Sequence, residues 1–168
     1  NYNQDTTNIF IVRAMYETLW SLESVNEGIH SVYLYNEDKH YIVSSKGEFA
    51  SEASFADSEW IEEYLKNKDR MLILKPRWPK NGRSSDPSAA SGRVISLVYP
   101  IPQLSANITG AIVINISVDS FQQYAGKSKY DRPGSIFIID REGHAVIGGE
   151  DKQSTGSDMK NEAYVSEI

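Results

Sequence analysis

Apolar positions recur first at helical spacing and then in short alternating runs. Ile9, Val12, Tyr16, Leu19 and Leu22 lie three or four residues apart, with Arg13, Glu17 and Glu23 off the stripe, so an amphipathic helix is predicted. Asp5, Thr6, Thr7 and Asn8 supply its start; it runs to about Asn26 and is ended by Gly28. Residues 29–35 alternate, Val32 and Leu34 on one face and Tyr33 and Tyr35 on the other, and a turn at 36–39 leads to a partner strand at 41–45. Residues 44–54 are polar and read as a loop. Asp57 stands where it could cap a helix carrying Trp60, Ile61, Tyr64 and Leu65. That helix ends at residues 67–69, and 71–74 form a short strand.

The organising stretch is residues 93–118. Residues 94–99 are β-branched and aromatic, and Pro100 and Pro102 are expected to stop the strand because proline donates no ladder hydrogen bond. Residues 110–116 are apolar on both parities: Ile112, Ile114 and Ile116 on one face, Ala111, Val113 and Asn115 on the other. A strand apolar on both faces belongs in the middle of a covered sheet. Asn115 is its one polar residue, either a satisfied structural amide or a pocket residue offering a donor and an acceptor. Before this stretch, residues 75–92 have the proline, glycine and serine density of a long loop. Trp78 within it is expected to fold back, over the core edge or over a pocket. After it come a short helix from Asp119 to Gly126, a polar linker at 127–133, and a fresh hairpin with strands at 135–139 and 144–147. The polar tail has at most a short helix near 159–164. No regular βαβ alternation appears, so the predicted class is α+β: an antiparallel sheet with the long helix on one face and a pocket on the other.

Composition narrows the function classes. The 168 residues are 40% hydrophobic and 24% charged, with a net charge of −6, which argues against a nucleic-acid-binding surface. There are no cysteines, so neither a disulfide framework nor a thiolate metal site is available. No apolar run approaches the ~18 residues that would span a bilayer. His30, His40 and His144 lack metal-pair spacing, and no phosphate loop, GxSxG elbow or HExxH is present. Glu59, Glu62 and Glu63 read as a solvated helix face. Asp140 and Glu142 fit a hairpin turn better than an active site, and no enzyme or cofactor is expected. The pattern is cut at both ends, as in a piece of a larger protein.

Three stretches, GIHSVYLYNEDKHYIVSS, VISLVYPIP with ITGAIVINISVDSFQQYA, and GSIFIIDREGHAVI, resemble the double Cache sensor domains of bacterial transmembrane receptors. In style the chain is similar to the extracellular domains of sensor histidine kinases or membrane-bound AraC-type regulators. The resemblance implies a PAS-like sheet, a small-molecule pocket in the membrane-distal module, flanking transmembrane helices and an extracytoplasmic location. Residues 1–130 would be the distal module and 131–168 the start of an incomplete proximal one. Homodimerisation through the N-terminal helix is a further expectation. The amino-acid-sensing branch carries an Arg-x-Trp-Tyr helix motif and an Asp in the last strand. Here the motif reads Ser58-Glu59-Trp60-Ile61, and Asn115 replaces the Asp. The charges that would grip a zwitterion are therefore missing, unless Arg77 supplies a cation from the loop. The expected ligand is not a free α-amino acid held in the usual way but a neutral sugar or small amide, if there is a small ligand. Trp60, Arg77, Trp78, Tyr99 and Asn115 are the expected ligand-binding residues. The alternatives are a protein-interaction module, with Trp78 and the long loop as its contact, and a cytoplasmic PAS-type regulatory domain.

Overall fold

The computed structural model describes residues 2–80, 92–102, 107–127, 138–139 and 145–147. The chain divides into two compact units, Asn1–Ser117 and Val118–Ile168. The first holds helix α1 (Tyr2–Ser24), strands β1 (Ile29–Asn36), β2 (Tyr41–Ser44) and β3 (Phe49–Ser51), helix α2 (Glu59–Lys66), and strands β4 (Leu72–Ile73), β5 (Val94–Ile101) and β6 (Gly110–Ser117). Its six strands form one sheet in the order β3-β2-β1-β6-β5-β4, with every pairing antiparallel. This is the predicted α+β class. In the second unit, helix α3 (Val118–Lys127) precedes β7 (Ile138–Ile139) and β8 (Ala145–Ile147), which pair antiparallel. Of the predicted linker at 127–133, Lys127 closes α3; its remainder, the hairpin turn at 140–143 and the tail after residue 147 lie outside the described residues, as does His144.

β6 lies mid-sheet, between β1 and β5, as its two apolar faces demand. Ile112 and Ile114 pack with Val32, Leu34 and Val43 beneath Met15, Tyr16 and Leu19 of α1. Ala111 and Val113 pack with Tyr33, Tyr35, Ile42 and Val98 against Trp60, Ile61 and Tyr64 of α2. Directly paired residues share a face, so the register fixes three rows across β1, β6 and β5 on the α2 side. They are Ser31–Asn115–Ser96, Tyr33–Val113–Val98 and Tyr35–Ala111–Pro100. Gly110 is required where it stands, because a Cβ there would lie 2.1 Å from the Tyr35 carbonyl oxygen.

Four expectations are corrected. The packed stretch of α1 is 15–19, while Ile9 and Leu22 are exposed, because the helix outruns the sheet it covers. The predicted loop at 44–54 contains β3, turned through Gly47 at φ +80° and paired with β2. Pro100 does not end β5. It pairs with Ala111 inside the strand, where β4, reaching only Leu97 and Val98, leaves β5's outer edge unpaired and no N–H is demanded. Finally, Asp57 does not cap α2: Ser58 is the N-cap, without a side-chain cap bond, and the Asp57 carboxylate is spent elsewhere.

Candidate ligand-binding site

The row Ser31–Asn115–Ser96 is fully buried and polar at one end of an otherwise apolar sheet face. Three serine and amide side chains have no water to bond there, so each must find a protein partner. They form a chain in which every donor points the same way. Ser96 Oγ donates to Asn115 Oδ1 (2.6 Å), Asn115 Nδ2 to Ser31 Oγ (2.9 Å), Ser31 Oγ to the Tyr33 hydroxyl (3.2 Å), and that hydroxyl to Asp57 Oδ2 (2.9 Å). Bonds aligned in sequence polarise one another, and this one ends on a carboxylate that is itself buried. His30 Nδ1 also reaches Ser31 Oγ at 3.1 Å, and burial, reinforced by Lys46, lowers its pKa and favours the neutral ring.

Asp57 is the hub. Besides Tyr33 it accepts both terminal nitrogens of Arg77, Nη1 on Oδ1 and Nη2 on Oδ2 at 2.9 Å, and the backbone N–H of Lys80 at 3.1 Å. Arg77 is held in turn by a bridge to Val94, its N–H donating to Val94 O (3.0 Å) and its carbonyl accepting from Val94 N (2.8 Å). Asp57 thus ties the start of the long loop to the sheet.

Beyond the polar row lies an aromatic cluster. Tyr33 meets Phe55 edge-on at 5.0 Å, and Tyr35 meets Trp60 at 5.6 Å and Tyr64 at 5.8 Å. Burial foremost, then neighbouring Asp57, Glu52 and Glu37 respectively, raises the pKa of Tyr33, Tyr35 and Tyr64, so all three stay neutral hydrogen-bond donors. Tyr64 donates to Gly110 O at 2.9 Å and Tyr35 to Glu52 Oε2 at 2.7 Å. Two buried donors on this face, Trp60 Nε1 and Arg77 Nε, have no partner among the described residues. Each unmade bond costs roughly 1–3 kcal/mol in a closed core.

The structure brings Trp60, Asn115 and Arg77 to the α2 face, but not as one tight cluster. Trp60 stands by the Tyr35–Ala111 row, four residues along β6 from Asn115, or roughly 13 Å at strand spacing. Tyr99 is not brought there: it pairs with Ile112 and so lies on the α1 face. Trp78 does not fold back; it is 59% exposed. Alternation explains this, since Arg77 beside it turns inward to Asp57. Sequence reasoning missed Asp57, Tyr33, Ser31 and Ser96. The available signal was a serine interrupting each of the two apolar strands that flank Asn115. A separate groove of about 560 Å³ runs beside α2, lined among others by His40, Glu52, Ala53, Ser58, Ile61 and Glu62.

No family model and no curated protein matches the sequence. Solved structures do match the fold. The sensory domain of the Campylobacter jejuni chemoreceptor Tlp3, with isoleucine bound, superposes with a TM-score of 0.55 at 17% identity, over 88% of this chain and 55% of that one. The chain has the Cache-type sensor fold. The extracellular domain of a protein named as a histidine kinase, mmHK1S-Z3, gives a TM-score of 0.56 at 11% identity, over 93% of this chain and 63% of that one. The Pseudomonas aeruginosa amino acid chemoreceptor PctB, in complex with L-Arg, gives 0.55 at 12%, over 94% and 68%. The chain thus spans little more than half to two-thirds of the length of these Cache-fold neighbours. Among the described residues, no helix is long and apolar enough to cross a membrane.

Proposed function

We propose that this chain is the extracytoplasmic ligand-sensing part of a bacterial signal-transduction receptor, a sensor histidine kinase in the first instance. It binds a small molecule on the α2 face of the sheet and passes the event to flanking membrane helices. Residues 131–168 would begin a second module, and two copies would pair along α1, where Ile11 and Leu22 of the helix and Val25 just past its end are exposed. The observation that carries the reading is the buried relay from Ser96 to Asp57, together with two buried donors of the same face that have no partner among the described residues: Arg77 Nε, next to Asp57, and Trp60 Nε1, farther along the sheet. A core built only for stability has no use for two unspent donors. The neighbours support a receptor role, since isoleucine is bound in one and L-Arg in another.

Thermal denaturation in the presence of amino acids, organic acids, sugars and amides tests the reading. A ligand of the native state raises the melting temperature by mass action. The rise should disappear in Asn115→Ala and in Trp60→Phe, which keeps a smaller aromatic ring and deletes the indole N–H. A response that survives both substitutions would move the ligand elsewhere. A second reading, a protein-interaction module, is favoured by one observation: Trp78, Met71 and Ile73 are all exposed around β4. A screen without hits, together with partner binding lost in Trp78→Ala, would favour it.

A further inference from the structure

Resting on that reading of the α2 face, we infer that the Asp57–Arg77 pair sets the charge class of the ligand: a neutral molecule that presents an oxygen acceptor to the free edge of the Arg77 guanidinium. Guanidinium donates along two edges. The terminal edge, Nη1 and Nη2, is committed to Asp57, and the Val94 bridge holds the Arg77 backbone so that this pairing is built in. The lateral edge is unspent: Nε is buried and has no hydrogen-bond partner among the described residues.

Asp57 has nothing left to offer a ligand. Its two oxygens already take four donors, from Tyr33, Arg77 twice and the Lys80 backbone. An amine would find no free carboxylate here. A ligand carboxylate would be a second anion on a cation whose charge Asp57 already balances, and its own dehydration would go uncompensated. A carbonyl or hydroxyl oxygen meets neither obstacle: it fills the Nε–H and brings no charge. The second orphan donor, Trp60 Nε1, asks for an acceptor as well. Asp57 and Arg77 are thus specificity-determining in opposite senses. Removing the carboxylate exposes a cation; removing the guanidinium exposes an anion.

The test compares isosteric probes at matched ionic strength: propionamide, propionate and propylammonium, with monosaccharides, isoleucine and L-Arg as further arms, read as saturable shifts in melting temperature. The wild-type chain should respond to propionamide or to monosaccharides, which separates an amide from a sugar preference, and not to propionate. Asp57→Asn should reverse the order, preferring propionate over propionamide by at least about tenfold in midpoint concentration. Arg77→Gln should gain a response to propylammonium, and the double variant should respond to neither ion. Circular dichroism checks that each variant folds. If Asp57→Asn does not fold, Arg77→Gln carries the test; if neither folds, the wild-type comparison decides alone. Equal wild-type response to propionate and propionamide overturns the inference, as does a rise with isoleucine or L-Arg, or a folded Asp57→Asn without the reversal. Should such an anion or zwitterion response vanish in Asn115→Ala, the charge argument fails while the site stands. No response to any probe overturns both.

Discussion

At the residue scale, a few positions have no freedom, and each makes a prediction. Gly110 carries β6 so close to β1 that a Cβ would sit 2.1 Å from the Tyr35 carbonyl oxygen. Backbone cannot yield as a flexible side chain would, so Gly110→Ala should lose about 3 kcal/mol or more in urea denaturation, the upper end of overpacking costs. Asn115→Ala deletes a buried amide, leaving the Ser96 hydroxyl without its acceptor and Ser31 Oγ without one of its donors; roughly 1–3 kcal/mol should be lost by the same measurement. Trp78→Ala should move stability by no more than about 0.5 kcal/mol, because the exposed ring supports little. Asn115 was legible in the sequence as the one polar residue of an apolar strand. Asp57 was not. An Asp two residues before a helix looks the same whether it caps that helix or pairs with an arginine twenty residues away, and only the tertiary path of residues 75–80 distinguishes the two.

At the element scale, apolar patterning revealed the central strands, the two covering helices and the covering of β6 on both faces, but not which helix takes which face. It failed where pairing, not periodicity, makes the element. β3 is three residues long with Phe49 and Ser51 exposed, so no alternation marks it. Its end is fastened by Glu52, which accepts from the Tyr35 hydroxyl at 2.7 Å and meets His40 Nδ1 at 2.9 Å. Those bonds, His40's first, lower the Glu52 pKa below its ordinary value of 4.5. An unfolded chain therefore binds a proton here that the folded chain refuses, and stability rises with pH through that interval. This contribution is present above pH ~4.5 and is lost as pH falls through the lowered value. His30 acts in the same direction at higher pH: its folded pKa lies below 6.5, so its contribution is lost on acidification from about pH 6.5 downward. Melting temperature should accordingly fall on acidification from neutrality, and Glu52→Gln should flatten the part of that fall near and below pH 4.5. An unchanged acid limb in Glu52→Gln would remove Glu52 from the account.

At the scale of the whole molecule, the sheet separates two tasks. One face meets α1 through a mainly aliphatic cluster that includes Met15, Tyr16 and Leu19 of the helix. The other meets α2 through aromatic rings that give way, at one end, to the hydrogen-bonded row and the Asp57–Arg77 pair. That division was visible in the two parities of residues 110–116, but the polar row was not, since it exists only once register sets Ser31, Asn115 and Ser96 side by side. If two copies pair along α1, sedimentation should show a dimer that Leu22→Lys with Val25→Lys abolishes, and a monomer at all concentrations would remove that part of the proposal. The central claim is that a small molecule binds on the α2 face, and the indole N–H resonances test it most directly. The chain has three tryptophans, Trp20, Trp60 and Trp78. Trp60 is fully buried and its N–H has no partner among the described residues, whereas the other two are more than half exposed. On titration with any compound that stabilises the chain, the Trp60 indole N–H should move downfield, saturably, as it gains an acceptor, while Trp20 stays in place. Saturable binding that leaves the Trp60 resonance where it was would contradict the account.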